Sequence, residues 1–249
     1  MNTLLLAAGQ GSRLRPLTND LPKPLLEVSG VSLISRLIES MSNSSLFGRV
    51  FVNISHLPHK FVATRIPGNP IYLYEQRLLG PTKSVLNLLE KEPKDLLVIH
   101  GDLLLETHDL HAFAHFCQRQ TQSQIVVHKR DLLKARSLVL FDDTNSVTEC
   151  SGSPKTRGFE KLKNSVFPAN NSREVFSDSG IYFLKSDDTR IINPSLEDTN
   201  IRDGIMTPLM TEGLLRAYRW PGRRLSIETV DDLNMAQHNW PSLISPKKQ

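Results

Sequence analysis

The sequence has few of the features that would set it apart from ordinary globular proteins. Its 249 residues include two cysteines, Cys117 and Cys150, too few for a disulfide framework and not arranged as a C-x-x-C pair. No apolar run is long enough to span a membrane, since the N-terminal one covers only Leu4 to Ala8. No basic segment precedes that run, as a signal peptide would require. These absences predict a reducing, cytoplasmic location and no membrane partner.

A large excess of acidic or of basic residues is also missing. The 30 Lys and Arg residues nearly balance the 26 Asp and Glu residues, for a net charge of +4, and the basic residues are scattered. A nucleic-acid partner is therefore not predicted. Repeats, low-complexity tracts and a clear linker are absent as well. We predict one domain over residues 1–249, with 241–249 as a frayed tail.

Strand and helix patterns alternate along the first half. Apolar runs predict strands at 3–7, 49–54, 71–74, 95–100 and 123–128. Helical periodicity predicts helices at 32–43, 57–65, 83–91 and 108–118. This alternation predicts an α/β fold with a largely parallel sheet, helices on both faces and ligands at the carboxyl ends of the strands.

The second half is less regular. Short strand-like pieces at 137–141, 156–160, 174–184 and 214–219 predict a partly antiparallel extension of the sheet. The Asn- and Ser-rich stretch 163–175 predicts a loop. A final helix is predicted at 229–239, with Thr229 as its N-cap and two aspartates in its first turn.

The opening segment carries the strongest chemical signal. Its strand runs into Gly9-x-Gly11, which lets backbone N–H groups approach a phosphate. Leu14 occupies the third glycine position of a dinucleotide fingerprint, and no Walker G-K-[ST] follows. Arg13 is placed to pair with a polyphosphate. Lys23 lies between two prolines, which we expect to hold the chain extended and to restrict its ammonium group.

This segment, "LAAGQGSRLRPLTNDLPKPLL", resembles the signature of the sugar-phosphate nucleotidyltransferases, or nucleoside-diphosphate-sugar pyrophosphorylases. The shared pattern is G-x-G-x-R-L-x-P-L-T followed by P-K-P. The resemblance implies a Rossmann-like three-layer α/β/α sandwich with a mostly parallel mixed sheet. It also implies transfer of a nucleoside monophosphate from a nucleoside triphosphate to a sugar 1-phosphate, with release of pyrophosphate. Arg13 would then hold the triphosphate, and Lys23 would bridge the phosphates of the two substrates.

Further segments extend the resemblance to the nucleotide site. "YEQRLLGPTKSV" stands where the family has a small-residue turn that reads the base, but residues 81–84 depart from that turn and leave the base open. The nucleotide-binding positions implied by the resemblance are Leu6, Ala8, Gly9, Gly11, Gln76 and Gly80.

The resemblance also implies a magnesium cofactor. Asp102, after a hydrophobic strand and Gly101, matches the first metal-binding carboxylate, and its position suits an oxygen ligand. The second carboxylate of the family is replaced by Ser226. Three explanations stay open: Mg²⁺ is held by Asp102, phosphates and water; Glu228 substitutes for the missing ligand; or activity is impaired.

The acceptor site is implied by two weaker matches. Glu160 and Lys161 in "RGFEKLKN" correspond to the family residues that bind the sugar hydroxyls and the sugar phosphate. Asp178 stands in place of a family asparagine that contacts the sugar.

One histidine group needs a separate interpretation. His108, His111 and His115 share a predicted helix at spacings of three and four. We expect an exposed polar face rather than a zinc site, with Asp109 pointing elsewhere on the helix.

Three alternatives remain at this point. The chain could be a nucleotide-binding regulatory protein without turnover. Ser226 and the altered turn at 81–84 would favour this alternative. A glycosyltransferase of similar architecture would need a D-x-D motif, which the leucines after Asp102 do not provide. A non-sugar phosphorylated acceptor would suit the same motifs. The base, the sugar and the oligomeric state, including a homo-oligomer, are left open.

Overall fold

The computed structural model describes residues 1–131, 135, 137–151, 174–193 and 200–240. The β-strands are β1 Asn2–Leu6, β2 Glu27–Val28, β3 Val31–Ser32, β4 Val50–Ile54, β5 Ile71–Tyr74, β6 Leu96–His100, β7 Leu103–Leu105, β8 Ser123–Asp131, β9 Leu138–Phe141, β10 Val147–Ser151, β11 Glu174–Leu184, β12 Leu215–Arg219 and β13 Arg224–Ser226. The α-helices are α1 Leu33–Met41, α2 Pro58–Ala63, α3 Pro81–Lys91, α4 Thr107–Cys117, α5 Thr207–Thr211 and α6 Val230–Asn239. The predicted strand 156–160, most of the predicted loop (163–173) and the tail 241–249 lie outside the described residues.

The chain divides into two units. The first comprises Met1–Leu78, Val98–Gln118 and Gly222–Gln249, and the second comprises Leu79–Leu97 and Arg119–Pro221. Whether both belong to one domain, as the sequence predicts, stays a prediction.

In the first unit the strand order is β6-β1-β4-β5. β4 pairs in parallel with both β1 and β5. Leu4, Leu5 and Val52 are fully buried on these strands, as expected for a sheet covered on both faces. The N–H of Gly101, just after β6, donates to the carbonyl of Leu6 at the end of β1 (2.9 Å). The chain after β1 and the chain after β6 therefore leave the sheet at the same edge.

A second cluster of apolar side chains in the first unit supports that edge. Its buried members are Leu14, Leu26, Val28, Leu33, Leu104, Ile227, Leu233, Ala236 and Trp240. Burying a leucine-sized side chain stabilises the fold by about 1.5–3 kcal/mol. Leu14 follows Arg13 directly and Ile227 precedes Glu228, so this packing fixes the backbone that carries both charged residues.

The second unit combines parallel and antiparallel strand pairs. The strand order is β12-β8-β11, in which β12 is parallel and β11 antiparallel to β8. The β11–β8 register shifts between Asp178 and Tyr182, as in a β-bulge. β9 and β10 form a separate antiparallel pair. A π-helix at Arg202–Met206 precedes α5.

The elements of the first half and the final helix are confirmed. Thr229 caps α6 in a capping box with Asp232. The parallel pairs β1–β4, β4–β5 and β8–β12, with the antiparallel pair β8–β11, confirm the predicted α/β class with mixed, mostly parallel strands. The short pairs β2–β3 and β7–β13 were not predicted, because two or three residues have no readable period. In the part of the chain that is described, no helix is long and apolar enough to cross a membrane.

Candidate active site

The glycine turn follows β1 as predicted. Gly11 has φ of +63°, and a Cβ atom there would lie 3.0 Å from the side chains of Lys23 and Thr18. The Thr18 hydroxyl donates to the Gly11 carbonyl at 2.9 Å and closes the turn. A Cβ at Gly9, by contrast, would meet nothing within 4 Å. Gly11 is therefore required by the turn itself, whereas open space at Gly9 leaves room for a ligand beside the backbone.

Lys23 and Asp102 form an ion pair beside this turn. Lys23 Nζ donates to Asp102 Oδ2, and both side chains are mostly buried, at 16% and 17% exposed. Lys23 opens a single 3₁₀ turn, Lys23–Leu25, after an extended Pro22. The expected extended chain is thus correct for Pro22 and wrong for Lys23, because the turn closes through a bond from the Leu26 N–H to the Lys23 carbonyl.

The environment of Asp102 keeps it ionised. Burial by itself would raise the pKa of this carboxyl, but the charges of Lys23, His100 and Arg224 and the bond from Lys23 outweigh burial and hold the pKa below its ordinary value. A carboxylate in this state is ready to bind a cation.

The same carboxylate passes the test for a magnesium ligand. Asp102 Oδ1 is buried and has no hydrogen-bond partner among the described residues. A buried carboxylate oxygen without a donor suits a cation. Among those same residues, no group of three His, Cys, Asp or Glu side chains could hold a metal by itself. Mg²⁺ commonly uses one or two carboxylates together with substrate phosphates, so the site suits an ion that arrives with a nucleotide.

Ser226 lies beside this aspartate. β13 pairs antiparallel with β7, and Ser226 is opposite Leu103. The next residue, Ile227, donates its N–H to the Asp102 carbonyl at 3.0 Å. The fold therefore brings the backbone at Ser226 close to that of Asp102. The role of Ser226 stays a prediction.

Arg13 has a partner that the sequence did not reveal. Its Nη1 donates to Glu228 Oε2 at 2.6 Å; the Arg13 side chain is 70% exposed and that of Glu228 is 22% exposed. Glu228 was predicted only as a substitute metal ligand. Its carboxylate instead contacts the cation assigned to the triphosphate.

Two successive buried hydrogen bonds support the end of β1, and the sequence did not predict them. The Ala7 N–H donates to Asn53 Oδ1 at 2.7 Å, and Asn53 Nδ2 donates to Glu75 Oε1 at 2.9 Å. Glu75 is buried, whereas the predicted Gln76 next to it is exposed. The Leu6 side chain is half-buried and Ala8 is buried. An acidic residue directly after a strand, "IYLYE", was the only available signal.

In the second unit, Gly80 and Asp178 occupy defined positions. Gly80 has φ of +82° and is the N-cap residue of α3. Asp178 accepts from the Gly180 N–H at 2.7 Å and from the Tyr182 hydroxyl at 2.6 Å. Burial, followed by the charge and hydrogen bond of Asp178, raises the pKa of Tyr182 well above its ordinary value. Asp178 is therefore held in place by neutral donors.

Arg202 is a second residue that the sequence analysis missed. Its Nε is buried without a hydrogen-bond partner in the described ranges. The π-helix that carries it is fixed to α3, since Thr82 Oγ1 donates to the Asn200 carbonyl at 2.9 Å and a Cβ at Gly204 would clash with the Thr82 side chain. π-Helical turns are frequent at functional sites. The Arg202 charge is near enough to Tyr182 to lower its pKa against the larger opposing effects.

The histidine group differs from its prediction. His111 is half-buried, with Nε2 2.7 Å from the Ser40 carbonyl, so the helix face is not uniformly exposed. Asp109 does not point away; it is buried, and its Oδ1 lies 3.2 Å from His108 Nε2. The exposed face is confirmed for His108 and His115 and wrong for His111 and Asp109, because burial of the helix draws these two side chains against their neighbours. The acceptor residues Glu160 and Lys161 lie outside the described residues.

Comparison with known proteins identifies the family. The model of the MobA-like NTP transferase domain matches residues 3–153, more than half of the chain. The chain belongs to the MobA-like NTP transferase domain family. This confirms the nucleotidyltransferase resemblance of its opening motif and disfavours the glycosyltransferase alternative.

Individual relatives are distant. The bifunctional protein GlmU of Methanocaldococcus jannaschii is 27% identical over 156 residues, which are 62% of this chain and 36% of that protein. Mannose-1-phosphate guanyltransferase of Pichia angusta is 29% identical over 154 residues, covering 53% of this chain and 42% of that protein. The chain thus spans less than half the length of these curated relatives.

A solved structure agrees in fold. HddC from Yersinia pseudotuberculosis complexed with GMP-PN superposes with a TM-score of 0.73 at 18% identity, covering 96% of this chain and 99% of that one. At this identity the likeness concerns the fold alone, and it confirms the Rossmann-like prediction.

Proposed function

We propose that this protein transfers a nucleoside monophosphate from a nucleoside triphosphate to a sugar 1-phosphate and releases pyrophosphate. The observation that carries the proposal is the Lys23–Asp102 pair beside the Gly9–Gly11 turn. A triphosphate requires a cation and open backbone N–H groups, and its metal requires an ionised carboxylate. All three are found at this edge of the sheet. The names of the relatives, which include a mannose-1-phosphate guanyltransferase, support the same class of acceptor.

The chemistry follows from positions and charges. An oxygen of the acceptor phosphate would attack the α-phosphorus, forming a new P–O bond as the bond to the pyrophosphate oxygen breaks. Lys23 would neutralise charge on the reacting phosphates, and Arg13 would hold the triphosphate. Asp102 would present Oδ1 to Mg²⁺, which when bound would neutralise phosphate oxygens. No side chain needs to form a covalent intermediate.

Asp178 and Arg202, which we assign to acceptor binding, both lie in the second unit. Asp178 is held rigidly enough to accept hydrogen bonds from sugar hydroxyls. Arg202 has a buried donor without a partner among the described residues, which suits an anionic phosphate. Glu160 and Lys161 keep the roles that the family resemblance implies, as hydroxyl and phosphate ligands respectively.

A two-way screen tests the proposal. Each nucleoside triphosphate would be combined with a panel of sugar 1-phosphates and Mg²⁺, and both pyrophosphate and nucleotide-sugar would be measured. We expect one pairing to give equal amounts of both products. Phosphorylated amino alcohols belong in the panel, because a product with one of them would move the proposal to a non-sugar acceptor. Absence of pyrophosphate with every pairing would overturn it.

A nucleotide-binding regulatory protein is the second candidate. Ser226 supplies no charge at the second metal-ligand position. Glu228 forms an ion pair with Arg13, the residue expected to hold the triphosphate. Calorimetry that detects nucleotide binding, with no product in the screen above, would favour this candidate.

A further inference from the structure

The Arg13–Glu228 pair brings together two residues that lie far apart in the chain. The two side chains are separated by 215 positions and joined by a bond of 2.6 Å. Arg13 is the more exposed partner, so a ligand from solvent can reach the guanidinium while Glu228 remains in place.

Glu228 is held on a rigid backbone. The preceding Ile227 is tied to the Asp102 carbonyl. The Glu228 N–H donates to Asp232 Oδ2 at 3.0 Å, and Thr229 contributes the capping box that starts α6. These bonds fix the Glu228 backbone, so its carboxylate stays within reach of Arg13 when Arg13 binds an anion.

We propose that Glu228 is a positioning residue that competes with the triphosphate for Arg13 and thereby makes nucleotide binding depend on a divalent cation. The inference rests on the proposed function. A triphosphate brings several negative charges to a guanidinium that is already neutralised. The Glu228 carboxylate repels the triphosphate and competes with it for Arg13. This repulsion weakens triphosphate binding until a divalent cation offsets the added negative charge.

Binding of inorganic tripolyphosphate tests the inference without a choice of base. Its affinity for the full chain would be measured by calorimetry, once with a chelator and once with Mg²⁺. Glu228→Gln keeps the shape and removes the charge. We expect this variant to bind metal-free tripolyphosphate about three- to tenfold more tightly than the parent, since ion pairs of this exposure have modest energies. With Mg²⁺ the difference should shrink.

Two further variants assign the effect to the pair. In an Arg13→Ala background, Glu228→Gln should change the affinity much less, because the competition acts through Arg13. Glu149→Gln removes an exposed glutamate charge from β10 and should leave both affinities unchanged.

The outcomes separate the two proposals. If the parent binds tripolyphosphate and Glu228→Gln binds it equally or more weakly without metal, Glu228 does not compete and the inference is wrong. An effect that is equally large in the Arg13→Ala background also contradicts it. If the parent and the variants bind neither tripolyphosphate nor any nucleoside triphosphate, the proposed function falls, and the inference falls with it.

Discussion

The candidate site residues of the two units are held by different kinds of partner. In the first unit, each functional cation has an anionic partner: Lys23 pairs with Asp102, and Arg13 with Glu228. In the second, Asp178 is bound by the neutral Tyr182 hydroxyl and a backbone N–H. A buried charge without a partner is costly, so the mostly buried Lys23 needs Asp102 beside it, whereas the exposed Arg13 does not depend on Glu228 in this way.

This difference suggests that the two sets of residues bind different chemical groups. Ion pairs can be exchanged when a polyanion and its metal arrive, which suits the handling of phosphates. A carboxylate fixed by neutral donors keeps its geometry, which suits recognition of hydroxyl groups. Four substitutions test the comparison.

The largest effect is expected in the first unit, from Lys23→Ala. Removing a cation that neutralises the transition state should lower kcat/KM for pyrophosphate release on the order of 10²-fold or more. It should also lower stability, because the buried Asp102 loses its partner. Steady-state kinetics and denaturant unfolding would measure the two effects. Lys94→Ala, at an exposed lysine, is the control. A Lys23→Ala variant with parental activity would contradict the assignment.

Arg202→Gln tests the second unit. If this residue binds the acceptor phosphate, losing its charge should raise KM for the acceptor about tenfold, with little change in KM for the triphosphate. Substrate titrations at saturating co-substrate would separate the two constants. Arg190→Gln, at an exposed arginine paired with Asp187, is the matched control. Equal changes in both KM values would argue against an acceptor role.

A change of similar size, in metal affinity, is expected from Ser226→Asp. Adding a carboxylate beside Asp102 should lower the Mg²⁺ concentration needed for half-maximal activity, on the order of tenfold, because more ligand charge strengthens cation binding. Ser226→Asn adds a similar volume without charge. If Ser226→Asp has no effect while Glu228→Gln raises the Mg²⁺ concentration needed for half-maximal activity, Glu228 is the replacement ligand.

Tyr182→Phe should have the smallest effect. It removes one hydrogen bond to Asp178 and should lower the free energy of unfolding by about 1 kcal/mol. We expect kcat to stay close to that of the parent, since Tyr182 acts on geometry rather than on reacting atoms. Urea denaturation would measure the change, with Tyr74→Phe at an exposed tyrosine as control. Unchanged stability would show that Asp178 does not depend on this bond.

Much of the fold and part of the site were predictable because their signals are local. Arg13 and Lys23 lie within one contiguous motif, and Asp102 ends a hydrophobic strand, so their spacing along the chain was informative. Thr229 and Asp232 form a cap within four residues. The short strands β7 and β13 were not predictable, since their pairing depends on packing around Leu104 and Ile227.

The sequence by itself determined the glycine turn, the alternation of strands and helices, and the family to which the chain belongs. Only the tertiary structure decided which charges meet: Lys23 with Asp102 across 79 positions, and Arg13 with Glu228 across 215. Turns and helices depend on neighbours in the chain, whereas electrostatic interaction depends on distance in space, which no local pattern specifies.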